Sequence, residues 1–208
     1  MTTPTTQRLL QAVSNLLHPL FMLTYGTAML LTFTVLRVLP SGIKLFLVGE
    51  AFLYTCLIPT LCIAVLYRLR LVSHWALRNR GDRGLPLALN AVAYGACAYA
   101  LTHHGFLPSW ALSIYYGGVF MAVAGWIISL WWKVSAHAMG IASLTTASFG
   151  LACLFPTYMP MWLPMLLLLL TGLLCSIRLY LGRHTLMQVS VGTMIGVATM
   201  TAALWWSV

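Results

Sequence analysis

Charged side chains are scarce in this sequence, making up 6% of its 208 residues, against about a quarter in an average soluble protein. Hydrophobic residues make up 61%. Apolar runs of about 20 residues, long enough to cross a bilayer as a helix, recur along the whole chain. The composition therefore excludes a separate soluble domain. It predicts an all-α, polytopic transmembrane helix bundle in which residues 1–208 form a single integral membrane domain.

Acidic residues are almost absent, because Glu50 and Asp82 are the only two in the chain. Magnesium and calcium take mainly oxygen ligands, carboxylates above all, and these two residues form no cluster in the sequence. The five cysteines fall within apolar runs and show no CxxC or Cys/His spacing of the kind that binds zinc. We therefore expect no metal and no cofactor, and we interpret the cysteines as small buried residues.

The apolar runs predict six or seven membrane-spanning helices. The number depends on the first run, because His18 and Pro19 interrupt its start and could leave part of it in the membrane interface. Short loops join the runs, except that residues 68–85 carry five arginines and the aspartate. The predicted spans are residues 17–36, 45–67, 86–102, 109–132, 136–155, 160–180 and 185–206.

Basic residues outnumber acidic ones by 11 to two, which gives a net charge of +9. Most lie in three polar clusters, residues 68–83, 133–137 and 178–188, which follow the second, fourth and sixth predicted spans. An even number of crossings separates each cluster from the next, so all three emerge on one side of the membrane, called here the motif face. Cations at such positions meet lipid headgroups or anionic substrates. The charge therefore predicts the membrane bilayer as a partner, with lipid headgroups or an anionic substrate meeting these cations, and no nucleic acid.

The third cluster contains SIRLYLGRH, in which Arg178 and His184 are six residues apart. On an unbroken helix that spacing, about 240° of rotation, would point the two side chains in different directions. Gly182 predicts a break, so that Arg178 ends one helix and His184 begins the next. His184 and Gln188, four residues apart, then share a face. The Gln188 side chain can accept the Nδ1–H of the ring and leave Nε2 free.

The second cluster reads WWKVSAHAMG. Ser135 is a suitable N-cap for the fifth span. The free amides at a helix N-terminus favour an anion through hydrogen bonding and the helix dipole. Lys133 and His137 flank the position that such an anion would take, and we therefore include both in the predicted site.

The first cluster adds Arg80 and Arg83, which precede Pro86 near the predicted start of the third span. Several cations, a helix N-terminus and two histidines thus converge on one membrane face. Such a set suits phosphoryl transfer, in which positioning and charge neutralisation supply most of the catalysis. One histidine can attack phosphorus while the other protonates the departing oxygen, by a metal-independent route.

The third cluster resembles the S-R-x5-H-x3-D motif of the type 2 phosphatidic acid phosphatase (PAP2-like) superfamily of lipid phosphatases. It matches as Arg178-x5-His184-x3-Gln188, with Ser176 displaced by one position and glutamine in place of the aspartate. The other clusters are similar to reduced forms of that family's K-x6-R-P and P-S-G-H motifs. The resemblance covers residues 68–192 and keeps the family's motif order, so the chain is interpreted as a divergent member.

The resemblance implies a role for each matching residue. His184 would be the nucleophile that forms a phosphohistidine, and His137 would protonate the leaving group. Gln188 would orient the nucleophile. The predicted phosphate-binding residues are Arg178, Arg80, Arg83 and Ser135 from the resemblance, and Lys133 from its position in the sequence.

Two functions stay open on the sequence. The first is a membrane lipid phosphatase that hydrolyses a phosphomonoester or pyrophosphate on a lipid. The second, raised by the missing aspartate, is a non-catalytic lipid-phosphate-binding protein or a structural subunit of a membrane assembly. We expect an integral protein of the bacterial inner membrane, with homo-oligomers and hetero-oligomers both compatible. The positive-inside rule favours a cytoplasmic motif face, whereas the resemblance favours an extracytoplasmic one.

Polar residues outside the clusters are interpreted structurally. Glu50 lies inside the second span, where a carboxylate is either functional or bound to its surroundings, and we favour a hydrogen bond to a neighbouring span or snorkelling. Gly192 and Gly196 predict close helix contact. The histidines given a structural role are His18, His74, His103 and His104.

Overall fold

The computed structural model describes residues 4–73 and 81–206, and every regular element within those ranges is helical. The α-helices in this part of the chain are α1 (Pro4–Leu16), α2 (Met22–Phe33), α3 (Ser41–Phe52), α4 (Ile58–Arg68), α5 (Gly84–His104), α6 (Ser109–Trp131), α7 (Ala136–Leu154), α8 (Trp162–Tyr180) and α9 (Leu186–Trp205). Shorter 3₁₀-helices lie at Pro19–Phe21, Val35–Val38 and Gly81–Arg83, and a π-helix joins α3 to α4 at Leu53–Leu57.

Seven helical stretches of the described residues are long and apolar enough to cross a membrane. The prediction of an all-α polytopic bundle is therefore confirmed, with the higher of the two expected span numbers, and the chain is an integral membrane protein. The stretches are Thr5–Phe33, Ser41–Arg68, Gly81–His104, Ser109–Trp131, Ala136–Leu154, Trp162–Tyr180 and Leu186–Trp205.

The N-terminal stretch differs from the prediction, because helix α1 precedes the expected start of the first span. α1 ends at Leu16, and the chain is extended at His18 (φ −69°, ψ 139°) before the next turn begins. The Tyr25 hydroxyl of α2 donates to the Leu16 carbonyl at 2.9 Å. Nine residues of unbroken helix would separate these positions by about 13 Å, beyond the reach of a tyrosine side chain. The break therefore turns α1 out of line with α2.

Helix α9 packs closely along α7, which is the most buried of the spanning helices described. A Cβ atom at Gly192 would lie 2.8 Å from the Ser135 carbonyl oxygen, and one at Gly196 would collide with the Met139 carbonyl oxygen. The predicted packing face of small residues is thus confirmed. Because Gly192 lies near the start of α9 and Ser135 directly precedes α7, this contact places the N-terminal ends of both helices side by side.

Glu50 of α3 is bound by a neighbouring span at the end of the bundle opposite the motif face. Its Oε1 atom lies 3.1 Å from His104 Nε2 at the end of α5, and the Glu50 side chain is 9% exposed. The preferred interpretation of Glu50, a hydrogen bond between spans, is confirmed. His104 is thereby given the structural role expected of it.

Candidate functional site

The helix ends that carry the three predicted clusters meet on the motif face. Arg83 directly precedes α5. Its Nη1 atom donates to the carbonyl of Val134 at the α6–α7 junction, at a distance of 3.4 Å. Lys133 at the same junction donates from Nζ to the carbonyl of Arg183 (2.9 Å), between α8 and α9. These two bonds connect all three junctions. The structure therefore brings the predicted clusters together.

The junction of α8 and α9 has the predicted break. Gly182 adopts a left-handed conformation with φ 61°. Its amide donates to the Leu179 carbonyl (2.9 Å), and the amide of Arg183 donates to the Arg178 carbonyl (3.1 Å). This pair of bonds is the Schellman pattern that ends a helix. Arg178 consequently stays in the last turn of α8, while His184 lies beyond the turn.

The predicted contact between His184 and Gln188 is present, but His184 lies before Thr185, the N-cap of α9, and does not begin that helix as the sequence predicts. His184 Nδ1 lies 3.1 Å from Gln188 Oε1, and the same oxygen accepts the backbone amide of Thr185 at 3.2 Å. A backbone N–H only donates, so the Gln188 atom here is the acceptor and Nδ1 carries the ring proton. Nε2 of neutral His184 therefore keeps its lone pair. Gln188 is held in place, since it also completes a capping box with Thr185 at the start of α9.

Ser135 caps α7 as predicted. Its side chain accepts the amide of Ala138 at 3.4 Å, and its own amide donates to the Gln188 carbonyl at 3.2 Å. Ser135 is completely buried. Since the hydroxyl accepts from Ala138, its proton can donate to a further acceptor. The two helix N-termini are thus bonded to each other beside His184.

Arg178 is partly buried and only partly satisfied. Its Nη1 atom donates to the Ser14 hydroxyl at 3.1 Å. Its Nε atom is buried and has no hydrogen-bond partner. An unsatisfied buried group of a charged side chain is costly. The guanidinium therefore has one N–H group, at Nε, that can donate to a bound acceptor.

Positive charge dominates the electrostatics of the site. Burial and the positive charge of Arg178 together lower the pKa of His184 to about 4, although the hydrogen bond with Gln188 acts in the opposite direction. His184 is therefore neutral at pH 7. Burial also lowers the pKa of Lys133, and three guanidiniums add to that shift: Arg83, Arg178 and Arg183.

His137 occupies the first turn of α7 within electrostatic range of both Arg178 and His184. Its ring meets the His18 ring edge-to-face, with 5.0 Å between centroids, and the backbone of Ser14 faces it. His18 was interpreted as structural from the sequence, and Ser14 was not singled out. The sequence gives one local signal of a bend here, the proline at position 19. Nothing in the residue spacing shows which helix ends the segment between α1 and α2 contacts.

Two residues assigned from the sequence, Arg80 and Ser176, have different outcomes, and Asp82 has a hydrogen-bond partner. Arg80 lies outside the described residues, and its role stays a prediction. Asp82 accepts a hydrogen bond from the Ser73 hydroxyl. Ser176, displaced from its motif position, is exposed and donates to the Gly172 carbonyl one turn back in α8 (2.9 Å). The Ser176 hydroxyl is therefore bonded within its own helix and does not face the site.

The chain matches no protein-family model, no curated protein and no solved structure. Among the described residues, no group of three or more His, Cys, Asp or Glu side chains is arranged to hold a metal ion. The described side chains at the helix ends offer cations that can bind an anion and histidines that can act as nucleophile, acid or base.

Proposed function

We propose that the protein is a membrane lipid phosphatase that hydrolyses a phosphomonoester or pyrophosphate on a lipid, by PAP2-like chemistry. The observation that carries the proposal is the buried Arg178 Nε atom without a partner, in a cluster with three other cations: Arg83, Lys133 and Arg183. A phosphate group would satisfy that donor. It would also offset the mutual repulsion of the cations.

His184 supports a covalent route. A nucleophile must be unprotonated, and the lowered pKa of about 4 keeps the imidazole neutral. The hydrogen bond from Nδ1 to Gln188 directs the lone pair to Nε2. In the first step Nε2 attacks phosphorus, a P–N bond forms, and the P–O bond to the lipid breaks.

His137 supplies the proton in this scheme. His137 takes up a proton from water as the phosphate dianion enters the site, and the departing lipid oxygen takes that proton as the P–O bond breaks. In the second step water attacks the phosphohistidine and returns its proton to His137, while the P–N bond breaks and inorganic phosphate leaves. Arg178 and Lys133 would hold the phosphoryl oxygens throughout, and the Ser135 hydroxyl would donate to one of them.

The position of the cluster supports a lipid as the substrate. The residues lie at the ends of spanning helices, where α5, α7 and α9 begin and α6 and α8 end. A phosphate at that depth is a headgroup of a molecule whose chains occupy the bilayer. We infer a lipid phosphate or lipid pyrophosphate, in the bacterial inner membrane or an equivalent bilayer.

One observation favours a second candidate, a protein that binds lipid phosphate without hydrolysing it. Gln188 presents an amide oxygen to His184, whereas a phosphohistidine ring carries positive charge that a carboxylate would stabilise. Replacing the aspartate of a Ser-His-Asp triad by its amide lowers kcat by about 10⁴. A binder would use the same cations and the same helix N-terminus.

Release of inorganic phosphate from a short-chain phosphatidate or polyprenyl pyrophosphate tests the proposal. The purified protein is expected to release phosphate, and His184→Ala to abolish the release while leaving the protein folded. Activity that survives this substitution would overturn the covalent route. Binding of the lipid phosphate without release would instead identify the second candidate.

A further inference from the structure

The corner between α1 and α2, residues 14–20, contacts two of the residues that act in the proposed reaction. Ser14 is completely buried, and its hydroxyl accepts Arg178 Nη1 at 3.1 Å. Its backbone faces the His137 ring closely enough to stabilise the protonated ring, and the His18 ring lies edge-on to the same ring. One short segment therefore contacts both the phosphate-binding arginine and the acid.

The corner is itself held against α7. His18 Nδ1 accepts the Leu20 amide at 3.4 Å and caps the turn that starts at Pro19. The ring nitrogen that accepts carries no proton, so neutral His18 has its proton on Nε2. Pro19 packs on Gly140 so closely that a Cβ at Gly140 would lie 3.3 Å from the Pro19 Cβ. His18 is thus fixed in tautomer and in position.

We propose that Ser14 and His18 are positioning residues of the phosphatase site: Ser14 orients the Arg178 guanidinium, and His18 holds the His137 ring against the leaving oxygen. This inference rests on the proposed function. Arg178 has four rotatable side-chain bonds, and its guanidinium donates a hydrogen bond to the Ser14 hydroxyl. Without that bond the guanidinium would sample orientations that do not fit a phosphate.

The groups that face His137 come from every element packed around it. They are His18 from the corner, the backbone of Ser14 from α1, Arg178 from α8, and His184 ahead of α9. Of these, His18 is in ring contact, so its replacement changes the pH at which His137 accepts a proton. A corner that only stabilised the fold would change the unfolding temperature and leave that pH unaltered.

Three variants separate these roles. Ser14→Ala removes the bond to Arg178 with almost no change of volume. His18→Asn keeps an oxygen that can cap the turn, since asparagine is a favoured cap, but it removes the ring. Asn15→Ala is the matched control, because its exposed side chain bonds Gln11 of the same helix.

Steady-state kinetics on the full-length protein with dioctanoyl phosphatidate are the test. Ser14→Ala is expected to raise KM about tenfold with little change in kcat, as for a lost hydrogen bond to a charged group. His18→Asn is expected to lower kcat about tenfold and to shift the pH profile of kcat, with KM unchanged. Asn15→Ala should match the parent protein. Kinetics and pH profiles equal to those of Asn15→Ala in both other variants would overturn the proposal.

Failure of the proposed function itself would look different. In that case the parent protein releases no phosphate at all, and binding of inorganic phosphate, measured by titration calorimetry, becomes the readout. Ser14→Ala should then weaken phosphate binding about tenfold relative to Asn15→Ala. Equal affinities would overturn the role of Ser14 independently of catalysis.

Discussion

The imidazole of His184 and the amide of Gln188 are joined by a hydrogen bond of 3.1 Å between Nδ1 and Oε1. The amide oxygen is in turn held by the Thr185 backbone amide at 3.2 Å, so the acceptor of the ring proton is fixed in position. This bond selects the tautomer in which Nε2 is nucleophilic. It gives no negative charge to a ring that would be phosphorylated in the proposed reaction, so Gln188 is the position at which a substitution is expected to raise the rate.

Gln188→Glu should raise kcat by at least about tenfold, because it places a carboxylate at the position of Oε1 and stabilises the positive ring. Glutamate is also favoured at the third position of a capping box, so α9 should keep its stability. The comparison of phosphate release by the two proteins at saturating substrate measures the gain.

Gln188→Asp is the geometric control for this change. The aspartate side chain is shorter by one C–C bond, about 1.5 Å, and it cannot both reach Nδ1 and cap Thr185 as Gln188 does. It should gain less than Gln188→Glu. A folded Gln188→Glu protein with no gain in rate would argue for the lipid-phosphate binder.

The pH dependence of kcat/KM should show an acidic limb near pH 4, the lowered pKa of His184. A histidine whose pKa is lowered loses its nucleophilic form only when the pH falls through that lowered value, well below the usual 6.5. Rates must be expressed per substrate dianion, since a phosphomonoester itself titrates near pH 6. Gln188→Glu should move the limb to higher pH. A limb near pH 6.5 in the parent protein would contradict the buried, cation-flanked position of His184.

Gly192→Ala should destabilise the protein by about 1–3 kcal/mol, as overpacking does. The new Cβ would lie 2.8 Å from the Ser135 carbonyl oxygen, which is backbone and cannot rotate away. The junctions that hold His137 and His184 would then move apart, so activity should fall as well. Thermal unfolding and phosphate release, measured on the same preparation, record both effects.

Gly172→Ala in α8 is the matched control for that substitution. No atom lies within 4 Å of a Cβ built there, and alanine has the higher helix propensity by about 1 kcal/mol. It should leave activity unchanged and stability equal or higher. Similar losses of stability and activity in Gly192→Ala and Gly172→Ala would show that the close approach of α9 to α7 does not position the site residues.

Lys133→Gln should weaken the binding of lipid phosphate about tenfold, because it removes one cation from the site and loosens the tie to the Arg183 carbonyl. Lys44→Gln is its counterpart at the other end of the bundle, where Lys44 Nζ donates to the Arg37 carbonyl. That variant should bind as the parent does. Equal losses of affinity in the two variants would show that Lys133 does not bind the phosphate.

Much of the site could be predicted because its geometry is local. A glycine between Arg178 and His184 indicates a turn, the short separation of His184 and Gln188 indicates a contact, and a serine before an apolar run indicates a cap. Each of these relationships spans a few residues, and each is present in the structure.

The remaining contacts depend on how the helices pack. Ser14 and Arg178 are 164 residues apart in sequence, and Lys133 reaches a carbonyl 50 residues away. Hydrophobic spacing predicts that spans exist but not which ends adjoin, since a bilayer allows many arrangements of similar helices. The apolar runs do not predict helix α1, because α1 is amphipathic and its mixed polar and apolar residues form no span-length apolar run.

Detection of phosphohistidine at residue 184 tests the central claim most directly. The protein would be mixed with dioctanoyl phosphatidate, quenched at alkaline pH to preserve the P–N bond, and digested for tandem mass spectrometry. We predict phosphate on His184 of the parent protein, with more trapped in Gln188→Glu if attack is accelerated more than hydrolysis, and none in His184→Ala. Phosphate release by a protein that never carries phosphate on His184 would contradict the account.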